Sequence, residues 1–236
     1  MTWLRTLWPS GFWSALGYLV LPIAGLWQGT GFSNPFQRWR ARQRLTLYQP
    51  SGIEPLRHHP VLWIHAAALG EWLALRPLLQ RIKADHPKLR IFATASAREV
   101  HSTIARFGEI DVVGCLPLDC SALCRRALGV IRPACIMLAE TEIWPNFIAT
   151  AAARGIPLAL VNARLDDCAF RHYQLLRPLF APILEHYQTV VAQSARDHAR
   201  FQALGVAATS LHISGNLKRD AALRRADTAS ATRWRA

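Results

Sequence analysis

The chain is poor in lysine, methionine and acidic residues. Of its 236 residues only 15 are Asp or Glu, three are Lys and two are Met. The formal net charge is therefore +13, and arginine carries almost all of it, so we expect anionic partners. With 51% hydrophobic and 18% charged residues, the composition excludes a disordered or collagen-like chain and predicts one or two domains that need no disulfide or metal scaffold.

Several chemical motifs are also missing. The five cysteines contain no CxxC pair and the histidines no HExxH, so neither a disulfide framework nor a metal site is predicted. GxGxxG, GxxxxGK[ST] and GxSxG are absent, which argues against NAD, P-loop and serine-hydrolase chemistry. Because no zinc-finger, RNA-binding or helix-turn-helix signature accompanies the arginines, we expect no nucleic-acid partner. Since the nucleotide-binding motifs are also absent, we expect no cofactor.

The first fifty residues predict a membrane attachment. No charged side chain occurs between Arg5 and Arg38, and Leu7 to Trp27 is long enough to cross a bilayer. Four arginines follow it at positions 38, 40, 42 and 44, which predicts that the remainder lies in the cytoplasm. A helix lying in the membrane interface and a cleaved signal peptide are the alternatives. Residues 1–48 are thus predicted as an anchor and basic segment.

The remainder alternates between apolar runs and helical spacing. We predict seven buried strands, at residues 61–65, 89–94, 112–116, 134–138, 157–162, 189–193 and 211–214. Helical patterns lie between them at 71–84, 97–107, 145–154 and 195–204, and glycines 108, 129, 155 and 205 are predicted to end helices. This alternation predicts an α/β domain over residues 56–220, with a parallel sheet covered by helices.

Polar residues follow the predicted strands, where an open parallel sheet binds its ligands. Glu71 stands after the first strand beside Gly70, which would let backbone approach a ligand, and a carboxylate there can act as a general base. Glu140 and Glu142 follow the fourth strand. For Asp119 and Ser194, helix capping is the favoured interpretation. His65 is expected to satisfy backbone groups, and Trp144 to pack in the core.

Six turns together resemble the N-terminal half of the 3-deoxy-D-manno-octulosonic acid (Kdo) transferases. ETEIWPN at 140–146 is the most specific match. The others are His65-Ala66 with Gly70-Glu71, LPLD at 116–119, NARL at 162–165, AQS at 192–194 and GNLK at 215–218. The resemblance covers nearly the whole chain to Asp220 and includes a hydrophobic segment followed by arginines.

The resemblance implies a Rossmann-like domain, the acceptor half of a GT-B glycosyltransferase, at the cytoplasmic face of the inner membrane. Such an enzyme moves Kdo from CMP-Kdo to a lipid A precursor, lipid IVA, with inversion. By resemblance, Glu71 is the catalytic base. The acceptor side is expected to be ordered by His65, Gly70, Glu140, Glu142 and Asn162, and the donor side of the interdomain cleft by Arg164, Gln193, Asn216 and Lys218. An ion pair of Arg164 with Glu140 or Glu142 is an equally favoured alternative.

The chain departs from the family pattern in three turns, at Ala68, at Thr94 to Glu99 and at Asp166 to Ala169. Residues 221–236 are an Ala- and Arg-rich tail, so we expect the donor-binding domain to be absent and interpret the chain as a shortened transferase, which could need a separate C-terminal half. The alternatives are a non-catalytic membrane-bound module that binds the acceptor or a partner chain, and a different sugar transferase on the same fold.

Overall fold

The computed structural model describes residues 34–218. The apolar segment Leu7 to Trp27 and the tail 221–236 lie outside these residues, so the predicted anchor stays a prediction. Within the described part, none of the helices combines the length and apolar character that crossing a bilayer requires.

The sheet has seven strands, all parallel, in the order β3-β2-β1-β4-β5-β6-β7. The central strands are short, mainly apolar runs that are largely buried, as expected for a sheet covered on both faces, whereas two of the three residues of the edge strand at 211–213 are exposed. The strands are β1 (Val61–His65), β2 (Arg90–Thr94), β3 (Val112–Gly114), β4 (Cys135–Ala139), β5 (Leu158–Ala163), β6 (Thr189–Ala192) and β7 (Leu211–Ile213).

The strands are joined by helices. They are α1 (Pro35–Arg44), α2 (Pro50–Ile53), α3 (Leu69–Asp85), α4 (Arg98–Ile104), α5 (Ser121–Ile131), α6 (Pro145–Ala152), α7 (Asp167–Leu175), α8 (Arg177–Leu184) and α9 (Ala195–Leu204), with short 3-10 turns at Glu54–Leu56 and Ala208–Ser210.

Helices cover both faces of the sheet, as predicted. Successive residues of a strand point to opposite faces, and β1 contributes Val61 and Trp63 to one hydrophobic cluster and Leu62 and Ile64 to a second. Trp63 is fully buried between the rings of Phe92 and Phe147. The domain is therefore a three-layer Rossmann-like α/β structure.

All seven predicted strands are confirmed, with ends that differ by two residues or fewer. Two predicted helix ends are wrong. Gly108 does not end α4, which stops at Ile104 with Ala105 as its cap. Gly129 lies inside α5, which continues to Ile131 and ends at Arg132 with φ 51°. Gly205 does end α9, with φ 116°. Arg132 holds the left-handed conformation at the end of α5, although glycine adopts it more easily. The helix continues past Gly129 because its apolar face extends through Leu128 and Ile131 into the core.

The basic segment forms α1, which packs on the domain. The rings of Phe36 and Trp39 lie 5.6 and 5.2 Å from that of His101 on α4. The backbone N–H of Leu118 donates to the carbonyl of Arg44 at 3.0 Å. These contacts fix α1 beside the carboxyl ends of β1 to β3.

Asp111 links α3 to the sheet and provides a test of the fold. Its carboxylate accepts from Lys83 at 2.8 Å, from Arg90 at 2.9 Å and from the backbone N–H of Ile91 at 2.8 Å. Burial raises the pKa of Asp111, but these donors outweigh it and hold the pKa below its ordinary value.

We expect Asp111→Asn to lower the free energy of unfolding by about 1–3 kcal/mol at pH 7, because three hydrogen bonds to a charged group weaken together. A depressed carboxyl pKa contributes stability that is present above the unfolded-state pKa of about 3.9 and is lost as the pH falls through the folded value. Urea unfolding of both proteins should therefore show a difference that shrinks at about pH 3. A difference that stays constant with pH would contradict this role.

Candidate active site

The strand order creates a crevice at one edge of the sheet. β1 and β4 are neighbours, but the chain leaves β1 toward β2 and leaves β4 toward β5. In an open parallel sheet, ligands bind at such a switch point beyond the carboxyl ends of the strands. The turns after β1 and β4 carry Glu71, Glu140 and Glu142.

Glu71 lies in the first turn of α3. Its Oε2 accepts from the backbone N–H of Ala67 at 2.9 Å, and the indole of the adjacent Trp72 donates to the carbonyl of Ala66 at 3.0 Å. The turn is thus folded back on its own helix, and the carboxylate is half-buried. A Cβ at the exposed Gly70 would meet no atom within 4 Å, so the protein itself does not require glycine there, and approach of a ligand stays a prediction.

The pKa of Glu71 is raised. Burial is the largest cause, the charge of Glu140 is the next, and the backbone N–H groups of Ala67 and Ala68 act in the opposite direction. Glu142 adds a smaller upward contribution. A carboxylate with a raised pKa is a stronger base at neutral pH than an ordinary glutamate.

Glu142 is held by two neighbours. The indole Nε1 of Trp144 donates to Oε2 at 2.7 Å, and Nε2 of His65 lies 3.3 Å from the same oxygen. Burial raises the pKa of Glu142, but the contacts with His65 and Trp144 outweigh it, so the pKa is lowered. Two neighbouring carboxylates therefore have pKa values shifted in opposite directions, which is typical of sites that divide roles between acids.

His65 is almost wholly buried, with 1% of its surface exposed. Its Nδ1 lies 2.8 Å from the carbonyl of Thr94 and 3.0 Å from the Thr94 hydroxyl. The prediction that His65 satisfies a backbone group is confirmed. Trp144 is only half-buried, with its ring 6.0 Å from that of His65, so it supports the site as well as the core.

Glu140 forms an ion pair with Lys218, with Oε1 and Nζ 2.5 Å apart. Asn162 Nδ2 donates to the same oxygen at 3.4 Å. The alternative of an Arg164 pair with either glutamate is wrong: in residues 34–218 the exposed Arg164 makes no ion pair, and the cation beside Glu140 is Lys218. Arg164 contributes its backbone carbonyl, which accepts from the hydroxyl of Thr141 at 2.5 Å.

Asn162 connects the end of β5 to the last described segment. Its Oδ1 accepts from the backbone N–H of Leu217 at 3.1 Å, and its carbonyl accepts from Gln193 Nε2 at 2.9 Å. Asn162 and Glu140 both have left-handed backbones, with φ 53° and 55°. Non-glycine residues hold this conformation where the surroundings impose it, often at functional sites. Asn216 Oδ1 accepts from the backbone N–H of Lys218 at 2.9 Å.

The capping interpretation of Asp119 and Ser194 is confirmed, but Asp119 caps α6 rather than α5, the helix that directly follows it. Asp119 accepts from the backbone N–H groups of Asn146 and Phe147 at 3.1 and 2.8 Å, at the start of α6. Ser194 Oγ accepts from the backbone N–H of Asp197 at 3.1 Å, at the start of α9.

The structure therefore brings one group of predicted residues together and leaves others at its edge. Contacts or charges link six of them: His65, Glu71, Glu140, Glu142, Asn162 and Lys218. Gln193 and Asn216 support their backbone, and Arg164 stands apart. Sequence reasoning missed Thr94 as the partner of His65, although the pairing of two parallel strands that end at these residues would have suggested it.

The described residues hold no group of three or more His, Cys, Asp or Glu arranged to bind a metal ion. What the arrangement can do is accept a proton at Glu71 and bind polar or cationic groups beside the other two carboxylates. Lys218 adds a positive charge to this carboxylate cluster through its ion pair with Glu140.

Comparison with known proteins identifies a family that this chain matches. A family model described as 3-deoxy-D-manno-octulosonic-acid transferase matches residues 37–221. A 3-deoxy-D-manno-octulosonic acid transferase from Haemophilus influenzae is 30% identical over 203 residues, which are 86% of this chain and 46% of the relative. The Bordetella pertussis protein of that name is 34% identical over 221 residues, 91% of this chain and 51% of the relative. The chain spans about half the length of these curated relatives.

A solved structure of UDP-GlcNAc 2-epimerase from Neisseria meningitidis, bound to UDP-GlcNAc, is also similar. It superposes with a TM-score of 0.54 at 14% identity, over 73% of this chain and 51% of that one. At this identity the likeness shows the fold alone, and it agrees with the Rossmann-like architecture described above.

Proposed function

Because the chain belongs to the family of 3-deoxy-D-manno-octulosonic acid transferases, we propose that it acts in the transfer of Kdo from CMP-Kdo to a lipid A precursor, lipid IVA. The observation that carries the proposal is the half-buried Glu71, whose pKa is raised at the switch point of the sheet. A base in that position is what transfer to a sugar hydroxyl needs.

In the proposed step, the carboxylate of Glu71 takes the proton of the acceptor hydroxyl while that oxygen forms a bond to the anomeric carbon of Kdo. The bond from this carbon to the phosphate breaks, and CMP leaves as an anion. Attack from the opposite side inverts the anomeric centre. Glu142, with its lowered pKa, stays ionised at neutral pH, accepts from the indole of Trp144 and can accept a hydrogen bond from the acceptor.

Cations on the donor side would offset the charge that develops on CMP. Lys218 is close to the carboxylates because it pairs with Glu140, and the exposed Arg164 has no ion pair within residues 34–218. We assign both to the donor side of the cleft, with Gln193 and Asn216 supporting the backbone around them. No cofactor enters this step.

The proposal includes a membrane location. An acylated acceptor stays in the bilayer, so a chain whose residues 1–48 attach to the cytoplasmic face of the inner membrane would meet it there. We further propose that the described domain is the acceptor half of a GT-B arrangement and that a second Rossmann-like half binds the nucleotide.

The direct test is a transfer assay in detergent with purified chain, lipid IVA and CMP-Kdo. The chain is assayed alone and together with the C-terminal half of the Bordetella pertussis relative, with mass spectrometry of the lipid product. Addition of Kdo in either reaction supports the proposal. Binding of lipid IVA by a folded chain without product in either reaction would instead support a non-catalytic acceptor-binding module.

One observation favours that second candidate. Asp167, in a turn that departs from the family pattern, forms ion pairs with Arg196 and Arg200 of α9. Two guanidinium groups near the carboxyl end of the sheet are thereby neutralised and less available to an anionic donor. The transfer assay separates the two candidates.

The neighbouring carboxylates predict a pH dependence for the first candidate. The charge of Glu140 raises the pKa of Glu71, and Glu140→Gln removes that charge and also frees the charge of Lys218. Both changes lower the pKa of Glu71, so the acid limb of the pH profile of kcat/KM should move to lower pH. Exposed Glu99→Gln is the control and should leave the profile in place. A move to higher pH in the Glu140 variant would contradict Glu71 as the titrating base.

A further inference from the structure

A small cavity lies beside the crevice that holds the carboxylate cluster. Its volume is about 60 Å³, and its lining includes Arg40 and Arg44 of α1, Ser96 after β2, Cys115, His65 and Trp144. One water needs roughly 10–15 Å³ of such space, so a group as large as phosphate fits. His65 and Trp144 also contact Glu142, so the cavity and the candidate active site share a wall.

The two arginines of this cavity lack a counter-charge. In residues 34–218 neither guanidinium forms an ion pair, although Arg44 is half-buried. Burial, and after it the charge of Arg40, lower the pKa of Arg44, with Cys115 acting in the opposite direction. Two like charges held close together and partly out of water cost free energy that a bound anion would offset.

Their geometry is set before any ligand binds. Arg40 and Arg44 are four residues apart, so their side chains lie on one face of α1. The helix is fixed to the domain through the rings of Phe36 and Trp39 on His101 and through the carbonyl of Arg44. Planar guanidinium groups bind phosphate oxygens in pairs of hydrogen bonds.

The size, charge and preorganisation of the cavity indicate its ligand. We propose that it binds a phosphate monoester group between Arg40 and Arg44, and that in the transferase this is a phosphate of the acceptor. The second part rests on the proposed function, and the first part does not. Because the cavity and the carboxylates share His65, the phosphate would anchor the acceptor while its hydroxyl reaches Glu71.

The test uses the full 236-residue chain in detergent, with inorganic phosphate as the first probe. Calorimetric titrations compare wild type with Arg40→Gln and Arg44→Gln. Arg38→Gln, an exposed residue of the same helix, is the control of equal charge change. Each lost guanidinium should weaken phosphate binding by about tenfold, as expected for charge-assisted hydrogen bonds, and Arg38→Gln should change it less than twofold. Circular dichroism confirms folding, and Arg44→Lys offers a milder variant if Arg44→Gln unfolds.

Three outcomes would contradict the proposed phosphate-binding site. Equal phosphate affinity in all variants, or no saturable binding to wild type, contradicts it. Binding to vesicles of phosphatidylglycerol and phosphatidylcholine provides the second arm, because a phospholipid headgroup is the other source of phosphate. If the Arg40 and Arg44 variants lose vesicle binding selectively while inorganic phosphate does not bind wild type, the cavity holds a headgroup and the monoester assignment is wrong.

Failure of the proposed function would be distinguishable. Glu71→Gln should retain phosphate binding within twofold, since Glu71 does not line the cavity. A chain that binds phosphate through Arg44 but transfers no Kdo, either alone or with the added C-terminal half, would support the phosphate site and contradict the proposed transferase function.

Discussion

Replacement of Glu71 by Gln is expected to lower the rate of Kdo transfer by about 10²–10⁴-fold, the usual contribution of a general base. The amide keeps an oxygen that can accept from the backbone N–H of Ala67, so the turn at the start of α3 should remain folded. Because burial raises the pKa of Glu71, removal of its charge should not destabilise the protein. The loss is therefore expected in kcat rather than in folding, and the transfer assay measures it.

A matched variant controls for the loss of one glutamate. Glu185 is exposed at the end of α8, and Glu185→Gln should leave the rate unchanged. Affinity for lipid IVA should be similar in wild type and both variants. If the Glu71 variant keeps more than about a tenth of the wild-type rate, a general-base role of this size is refuted.

The second large effect concerns stability. Asp119 is half-buried and accepts from the backbone N–H groups of Asn146 and Phe147, while Asn146 Nδ2 donates to its carbonyl. Asp119→Ala leaves the two N–H groups at the start of α6 without their acceptor. We expect the free energy of unfolding to fall by about 2–4 kcal/mol, because unsatisfied buried donors are costly.

Urea unfolding at pH 7.5 provides the measurement, since burial raises the pKa of Asp119 and the carboxylate must be ionised. Asp166 caps α7 at an exposed position and accepts from the N–H of Ala169 at 2.8 Å. Asp166→Ala should cost only about 0.5–1 kcal/mol, toward the low end for a lost cap. Equal costs at the two positions would show that Asp119 does not join the two turns as described.

Glu71 and Asp119 show that motifs of one family can have different roles. Asp119 and Asn146 come from the strings LPLD and ETEIWPN, and their hydrogen bonds serve the start of a helix. Glu142 comes from the second of these strings and Glu71 from the turn after the first strand, and the charge of Glu142 raises the pKa of Glu71. A motif in a sequence does not by itself separate structural from chemical roles, because both require a fixed residue in a fixed turn.

Much of the fold could be predicted from the chain, because the central strands are mainly apolar. The strand at 61–65 is an example, since all five of its residues are buried and the first four are apolar. The helices α7 and α8 were not singled out. No residue of α7 is buried, so the helix has no core-facing stripe, and α8 contains Pro178 and Pro182, which are typical of turns and helix ends. The packing of α1 was also missed, since its arginines suggested a lipid surface and hid the contacts of Phe36 and Trp39 with His101.

The site was predicted where it depends on strand ends and missed where it depends on long-range packing. His65, Glu71, Glu140 and Glu142 follow strands, and parallel pairing brings such ends together. The ion pair of Glu140 with Lys218 joins residues far apart in the chain. It arises because Asn162 holds the backbone of Leu217, and nothing in the local sequence predicts that hydrogen bond.

The central claim is that Glu71 removes the proton of the acceptor hydroxyl. The most direct measurement is the distance between the Glu71 carboxylate and the attacking hydroxyl in an experimental structure of the chain with lipid IVA bound. The account predicts that one Glu71 oxygen lies within hydrogen-bond reach of that hydroxyl, about 2.6–3.2 Å. An acceptor bound with its sugar hydroxyls away from the switch point between β1 and β4, and with Glu71 still turned only toward Ala67, would contradict it.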